Sequence, residues 1–164
     1  METARISLDR LASPLVELLD YDGQMYADGW LSAEFSFRLR ALVDIDAIRL
    51  ELWNPDFANR YLHNRLTVTV GDVTRNSPSL YPAQLVTFEH ANETRAGRAL
   101  DVKIVSAQFC EPDLLDSRER GVVFIGASIT AARRRAGSSV ADAKLQADAG
   151  EPKPAMATTV GRAG

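Results

Sequence analysis

Two stretches of the chain gather side-chain types that could do chemistry. Tyr21-Asp22-Gly23-Gln24-Met25-Tyr26-Ala27-Asp28-Gly29-Trp30 crowds two tyrosines, a tryptophan, two acids and two glycines into ten residues. Trp53-Asn54-Pro55-Asp56-Phe57-Ala58-Asn59-Arg60-Tyr61-Leu62-His63-Asn64 repeats the mixture. Aromatic faces stack on the apolar C–H face of a pyranose, and short carboxylates and amides take its hydroxyls, so this combination suits a sugar-binding surface. On that basis Tyr26, Trp30, Trp53 and Tyr61 are expected to stack, and Asp28, Asn54, Asp56 and Asn59 to bond hydroxyls. The alternative is that both tryptophans close the ends of a core while the polar residues make turns.

Other chemistries fit less well. Asp20, Asp22 and Asp28 do not have the spacing of a twelve-residue calcium loop. His63 and His90 lie in separate expected loops with no HxH or HExxH spacing, which argues against a zinc site, and the lone Cys110 excludes an intrachain disulfide and reads as a half-buried structural thiol. No metal and no cofactor is expected. Gly121-Val122-Val123-Phe124-Ile125-Gly126-Ala127-Ser128-Ile129-Thr130 resembles the first block of SGNH-type esterases, with Ser128 as nucleophile. No histidine follows Ser128 to act as base, so Ser128 is read as a strand residue and the chain as no enzyme. Asp44 and Asp46 could pair as acid and base, but nothing in their spacing fixes a distance to substrate.

The elements that must position these loops are strands. Ala33 to Arg40, Ile48 to Trp53 and Leu66 to Val70 alternate apolar with polar side chains, the period of a half-buried strand, and Gly71-Asp72 marks a tight turn into Val73. Such alternation argues for antiparallel pairing. Gln84 to Phe88, Leu100 to Ile104 and Gly121 to Thr130 continue the series. Leu15 to Leu19 is a plausible first strand, though Arg5 to Leu19 could hold a short helix. Seven or eight strands separated by Pro, Gly, Asn and Asp predict an antiparallel β-sandwich, jelly-roll-like. Its expected core includes Phe35, Phe37, Leu39, Leu50, Leu52, Val68, Leu85, Phe88, Val102, Val123 and Ile125.

Composition divides the 164 residues near Ala132. Arg133 to Gly164 has eight alanines, no aromatic residue, and only Val140, Leu145, Met156 and Val160 as large apolar side chains, too little to offset its ordering entropy. The expectation is a sandwich domain over 1–132 and a disordered, low-complexity tail over 133–164. The tail carries six basic residues against three acidic ones, which leaves a charge of -6 on the domain. An acidic domain is a poor reader of nucleic acid. No run is long and apolar enough to span a bilayer, and the first twenty residues lack the pattern of a secretory signal, so a cytoplasmic location is expected.

Asp116-Ser117-Arg118-Glu119-Arg120-Gly121-Val122 before an apolar last strand resembles the D-x-R-x-x-G-V closing element of small β-sandwich domains found beside bacterial glycosyltransferases and in polysaccharide-assembly proteins. Asp28-Gly29-Trp30 is similar to their opening element, and Leu50-Glu51-Leu52-Trp53-Asn54-Pro55-Asp56 to their second strand and loop. The likeness covers roughly Tyr21 to Thr130. It implies an accessory, non-catalytic role with a glycan, or a glycosyltransferase-type enzyme, as partner. Independently of it, Asp116 and Arg118 are expected to be structural, bonding strand-end carbonyls and amides. The rival expectation is a protein-interaction sandwich with no small ligand.

Overall fold

The period-two runs become strands whose buried positions are the apolar ones. In the computed structural model, which describes residues 3–6, 11, 13–57 and 59–132, there are nine strands and no helix. They are β1 Thr3–Ile6, β2 Val16–Asp22, β3 Glu34–Ala41, β4 Ile45–Asn54, β5 Leu66–Val70, β6 Val73–Asn76, β7 Gln84–Thr94, β8 Ala99–Ser106 and β9 Val123–Ala131. The expectation for residues 133–164 lies outside the described residues.

All pairs are antiparallel and form two sheets, ordered β1-β9-β4-β7 and β2-β3-β8-β5-β6. The pairing nests about the β5–β6 hairpin: β4 with β7, β3 with β8 and β1 with β9 lie successively outside it. This wrapped hairpin is a jelly roll, with β2 added beside β3. Consecutive alternating strands therefore need not be neighbours. β3 and β5 flank β8, while β4 lies in the opposite sheet.

Phe35, Phe37 and Leu39 of β3, Leu50 and Leu52 of β4, Val68 of β5, Val102 of β8, and Phe124 and Ile129 of β9 meet between the sheets. Three residues expected there behave otherwise. The inward parity of β7 belongs to Val86 and Phe88, so Leu85 is 51% exposed. In β9, Gly126 pairs Glu51 and Phe124 pairs Leu52, so Ile125 is the extra residue of a β-bulge and is 37% exposed. Val123, on the outward parity, is half-buried. The N-terminal segment holds a strand, β1, rather than only a helix or the one strand expected. Thr-Ala-Arg-Ile has little alternation of its own, and β1 is defined by its pairing with Ala127 to Thr130.

Candidate functional site

The 23–33 segment is shaped by tight backbone bonds. Tyr26 N–H donates to the Trp30 carbonyl at 2.8 Å, and Gly29 N–H donates to the Tyr26 carbonyl at 2.8 Å. Gly29 has φ +89°, and a Cβ there would lie 3.0 Å from the Phe124 carbonyl oxygen, so the turn requires glycine on both counts. Leu31 N–H donates to Val122 O, and Gly121 N–H to Leu31 O, which lays residues 29–31 alongside the start of β9. A Cβ on Gly121 would come within 2.8 Å of the Ser32 carbonyl oxygen, which explains a glycine at that close approach.

One consequence is a row of side chains in register. Trp30 pairs Val123, Val123 pairs Trp53, and Trp53 pairs Leu85. Residues opposed in an antiparallel ladder share a face. Leu52 and Phe124, the neighbours of Trp53 and Val123, point into the core, so the row lies on the outer face of the four-stranded sheet. Trp30 and Trp53, both half-buried, stand two strand spacings apart, about 9.5 Å. The two loops that sequence reading singled out thus deliver their tryptophans to one surface.

A polar cluster stands at the Trp30 end. The Arg118 guanidinium forks onto Asp116, with Nε donating to Oδ1 and Nη2 to Oδ2, each at 2.9 Å. Its Nη1 donates to Asp28 Oδ2 at 2.7 Å, and the guanidinium lies 5.1 Å from the Tyr26 ring centroid. These bonds hold the Asp116 carboxyl down at about 2 and Asp28 below its ordinary value, and raise Arg118. Asp116 and Arg118 bond each other, Arg118 also reaches Asp28, and Asp116 Oδ1 accepts the backbone N–H of Arg118 at 3.0 Å; of the carbonyls and amides expected as partners, an amide is found. Their effect is to tie the 107–122 segment to the turn that carries Trp30.

Two expected ligand contacts are internal. Asn54 is fully buried: its amide donates to the Tyr61 carbonyl at 3.0 Å and the Tyr81 carbonyl at 2.7 Å, and its Oδ1 accepts from Asn64 at 2.9 Å. Tyr61 is fully buried as well, with its ring 6.3 Å from Trp30. Its hydroxyl donates to the Arg120 carbonyl at 2.6 Å and lies 3.4 Å from Cys110 Sγ. Burial pushes the phenol up. Both side chains are occupied in holding the 55–64 turn, because a polar group taken out of water must be paired. Cys110 is fully buried, beyond the half-burial expected. Replacing Tyr61 with phenylalanine is expected to cost about 0.5–1.5 kcal/mol in urea unfolding, since the Arg120 carbonyl loses the phenol but keeps the backbone N–H of Cys110 at 2.8 Å.

Asp56 and Asn59 are exposed on the turn after β4, with Asn59 in the left-handed region at φ +57°. Arg120 was not singled out by sequence. It is nearly buried, pairs with Asp113 at 3.4 Å and Asp116 at 3.3 Å, and sits 5.2 Å from the Phe57 ring centroid. Its place two residues after Arg118, at the entry to β9, was the available signal. Among the described residues no cluster of three His, Cys, Asp or Glu side chains could hold a metal ion, and no helix is long and apolar enough to cross a membrane.

No family model matches the chain, and no curated protein matches its sequence. Among solved structures it is similar to the xylan-binding module CBM15, at 15% identity and TM-score 0.45, over 74% of this chain and 99% of that one. It is similar to a family 35 carbohydrate binding module from an environmental isolate, at 14% identity and TM-score 0.40, over 79% and 93%. The Podospora anserina GH26-CBM35 beta-(1,4)-mannanase matches at 9% identity and TM-score 0.41 over 82% of this chain, which spans 28% of that one. None of these reaches a TM-score of 0.5, so what this chain does is judged from its own side chains.

Proposed function

We propose that the domain is a non-catalytic carbohydrate-binding module, with a glycan chain lying along the outward row of Trp30, Val123, Trp53 and Leu85. The observation that carries this is the register that sets two half-buried indoles on one outer face with Tyr26, Asp28 and Arg118 at its end. Indole faces take the C–H face of a pyranose, and the Asp28 and Arg118 groups, already oriented by their mutual bond, offer an acceptor and donors to hydroxyls. The likeness to domains beside glycosyltransferases supports an accessory role in glycan synthesis, and a cytoplasmic location is part of the same proposal. Leu85 and Ile125 favour a second reading, because aliphatic side chains broaden the row towards a protein-docking strip.

Affinity electrophoresis in gels containing soluble polysaccharides, followed by calorimetric titration with matching oligosaccharides, separates the two readings. The parent is expected to bind one glycan with a Kd on the order of 0.1–1 mM. Trp30→Ala and Trp53→Ala should each weaken binding about tenfold, and the double variant should abolish it. If both folded single variants bind like the parent, or no glycan retards the parent, the row is not a sugar platform.

A further inference from the structure

The aromatic row does not stop at Trp30. Met25 bridges Leu31, and Tyr26 N–H donates to the Trp30 carbonyl, so Tyr26 and Trp30 oppose each other across the 26–30 turn and share a face. The full order is therefore Tyr26, Trp30, Val123, Trp53, Leu85. Its two ends differ. Leu85 belongs to β7, an edge strand whose one neighbour in the sheet, among the described residues, is β4, so a chain lying on the row runs out into solvent there. At the other end the Arg118 guanidinium lies over the Tyr26 ring, 5.1 Å from its centroid. A further sugar would have to displace that cation to stack on Tyr26, and the usable platform ends at Trp30.

The stop is braced and polar. Arg118 Nε and Nη2 fork onto Asp116, Nη1 holds Asp28, and Arg120 pairs with Asp116 at 3.3 Å. A guanidinium carries five N–H groups, and these bonds use Nε–H and one N–H of each Nη, which leaves one N–H of each Nη to donate. The Asp28 carboxylate likewise keeps lone pairs beyond the one that Arg118 takes. Both side chains reach solvent, at 32% for Arg118 and 50% for Asp28. A donor and an acceptor 2.7 Å apart match two neighbouring ring hydroxyls, one donating to the carboxylate and the other accepting an N–H. Because Asp116 already fixes the guanidinium, the pair loses little freedom when a ligand arrives.

We propose, resting on the carbohydrate platform described above, that the row takes the end of a glycan chain and not an interior stretch, the last ring stacking on Trp30 and a vicinal diol of that ring bonding Asp28 and Arg118. An interior sugar on Trp30 has a neighbour on each side, and one of them would meet Arg118 and Tyr26. A terminal sugar has no neighbour on that side and carries a free hydroxyl in its place. The Asp28–Arg118 pair thus turns a surface open at β7 into one that reads a terminus.

Calorimetric titration of the full chain with each soluble polysaccharide, intact and after partial acid hydrolysis, tests this. Binding sites per gram of glycan are expected to rise in proportion to the chain ends released, with Kd unchanged. Binding whose capacity per gram is the same before and after hydrolysis overturns the chain-end inference and leaves the platform standing, whereas no binding to either preparation overturns the platform and the inference with it. Borohydride reduction of the fragments, which opens the reducing-end ring, tells the two termini apart: binding is lost if that ring supplies the diol and kept if the other terminus does. Arg118→Met should bind the fragments about tenfold more weakly. A variant that is folded by circular dichroism and binds them like the parent also overturns the inference, and if the variant does not fold, the capacity measured on the parent decides.

Discussion

Replacing Asn64 with leucine is expected to lower the unfolding temperature by about 10–20 °C. Asn64 is fully buried and uses its whole amide: Nδ2 donates to Asn54 Oδ1 at 2.9 Å and to Ser106 Oγ at 3.0 Å, while Oδ1 accepts from Arg65 N–H at 2.8 Å and Gln108 N–H at 2.9 Å. Leucine fills similar space with no polar atom, so the carbonyl of Asn54 and the amide of Gln108 are stranded. Ser106 keeps its bond to the Gln108 carbonyl. Two or three partly or fully buried groups left unpaired, at about 1–3 kcal/mol each, give a loss of about 3–5 kcal/mol. Scanning calorimetry measures it, and a shift under about 3 °C would mean that water replaces the lost partners. Asn54→Leu should cost nearly as much, and the two together less than their sum, because each removes the same bond.

The Asn54–Asn64 pair also shows where sequence reading reached its limit. Both residues sit among aromatics and acids that suit a glycan, and nothing in type or spacing separates an asparagine that faces a ligand from one that pins a loop. The difference is made by residues remote in sequence, Tyr81 and Ser106, which the roll brings to them. Strands such as β3 and β5, by contrast, were legible because burial of one face imposes period two on the chain itself. The Ile125 bulge was not, since one extra residue in β9 inverts a face without altering composition. Trp30 and Trp53 stand out in the sequence as the two tryptophans of the aromatic, acidic loops. That they share a row follows from pairing with β9, a strand some seventy residues beyond Trp53, and no local pattern encodes it. Arg118 illustrates the middle case: the Asp-x-Arg spacing predicts a bond between loop and strand entry, but its third partner, Asp28, is ninety positions away.

His90→Leu is expected to stabilise the domain by about 1–2 kcal/mol at neutral pH and by more in acid. His90 lies on the inward parity of β7 at 1% exposure, and neither ring nitrogen has a hydrogen-bond partner among the described residues. Burial, with a smaller push from the Arg75 charge on β6, lowers its pKa, so the folded protein holds the ring neutral. The sign follows from proton binding. Above about pH 6.5 neither folded nor unfolded chain protonates this ring, and its contribution does not vary. As pH falls below that, the unfolded chain takes up a proton that the folded one refuses, so stability drops until the lowered folded pKa is passed. Carboxylates such as Asp116 titrate lower and leave the window between pH 8 and 5 largely to His90. Urea midpoints at pH 8, 6.5 and 5 should therefore fall for the parent and stay nearly level for His90→Leu. Parallel curves would show that His90 is not the group that senses acid, and a variant less stable than the parent at pH 8 would show that the ring's packing outweighs its unpaired nitrogens.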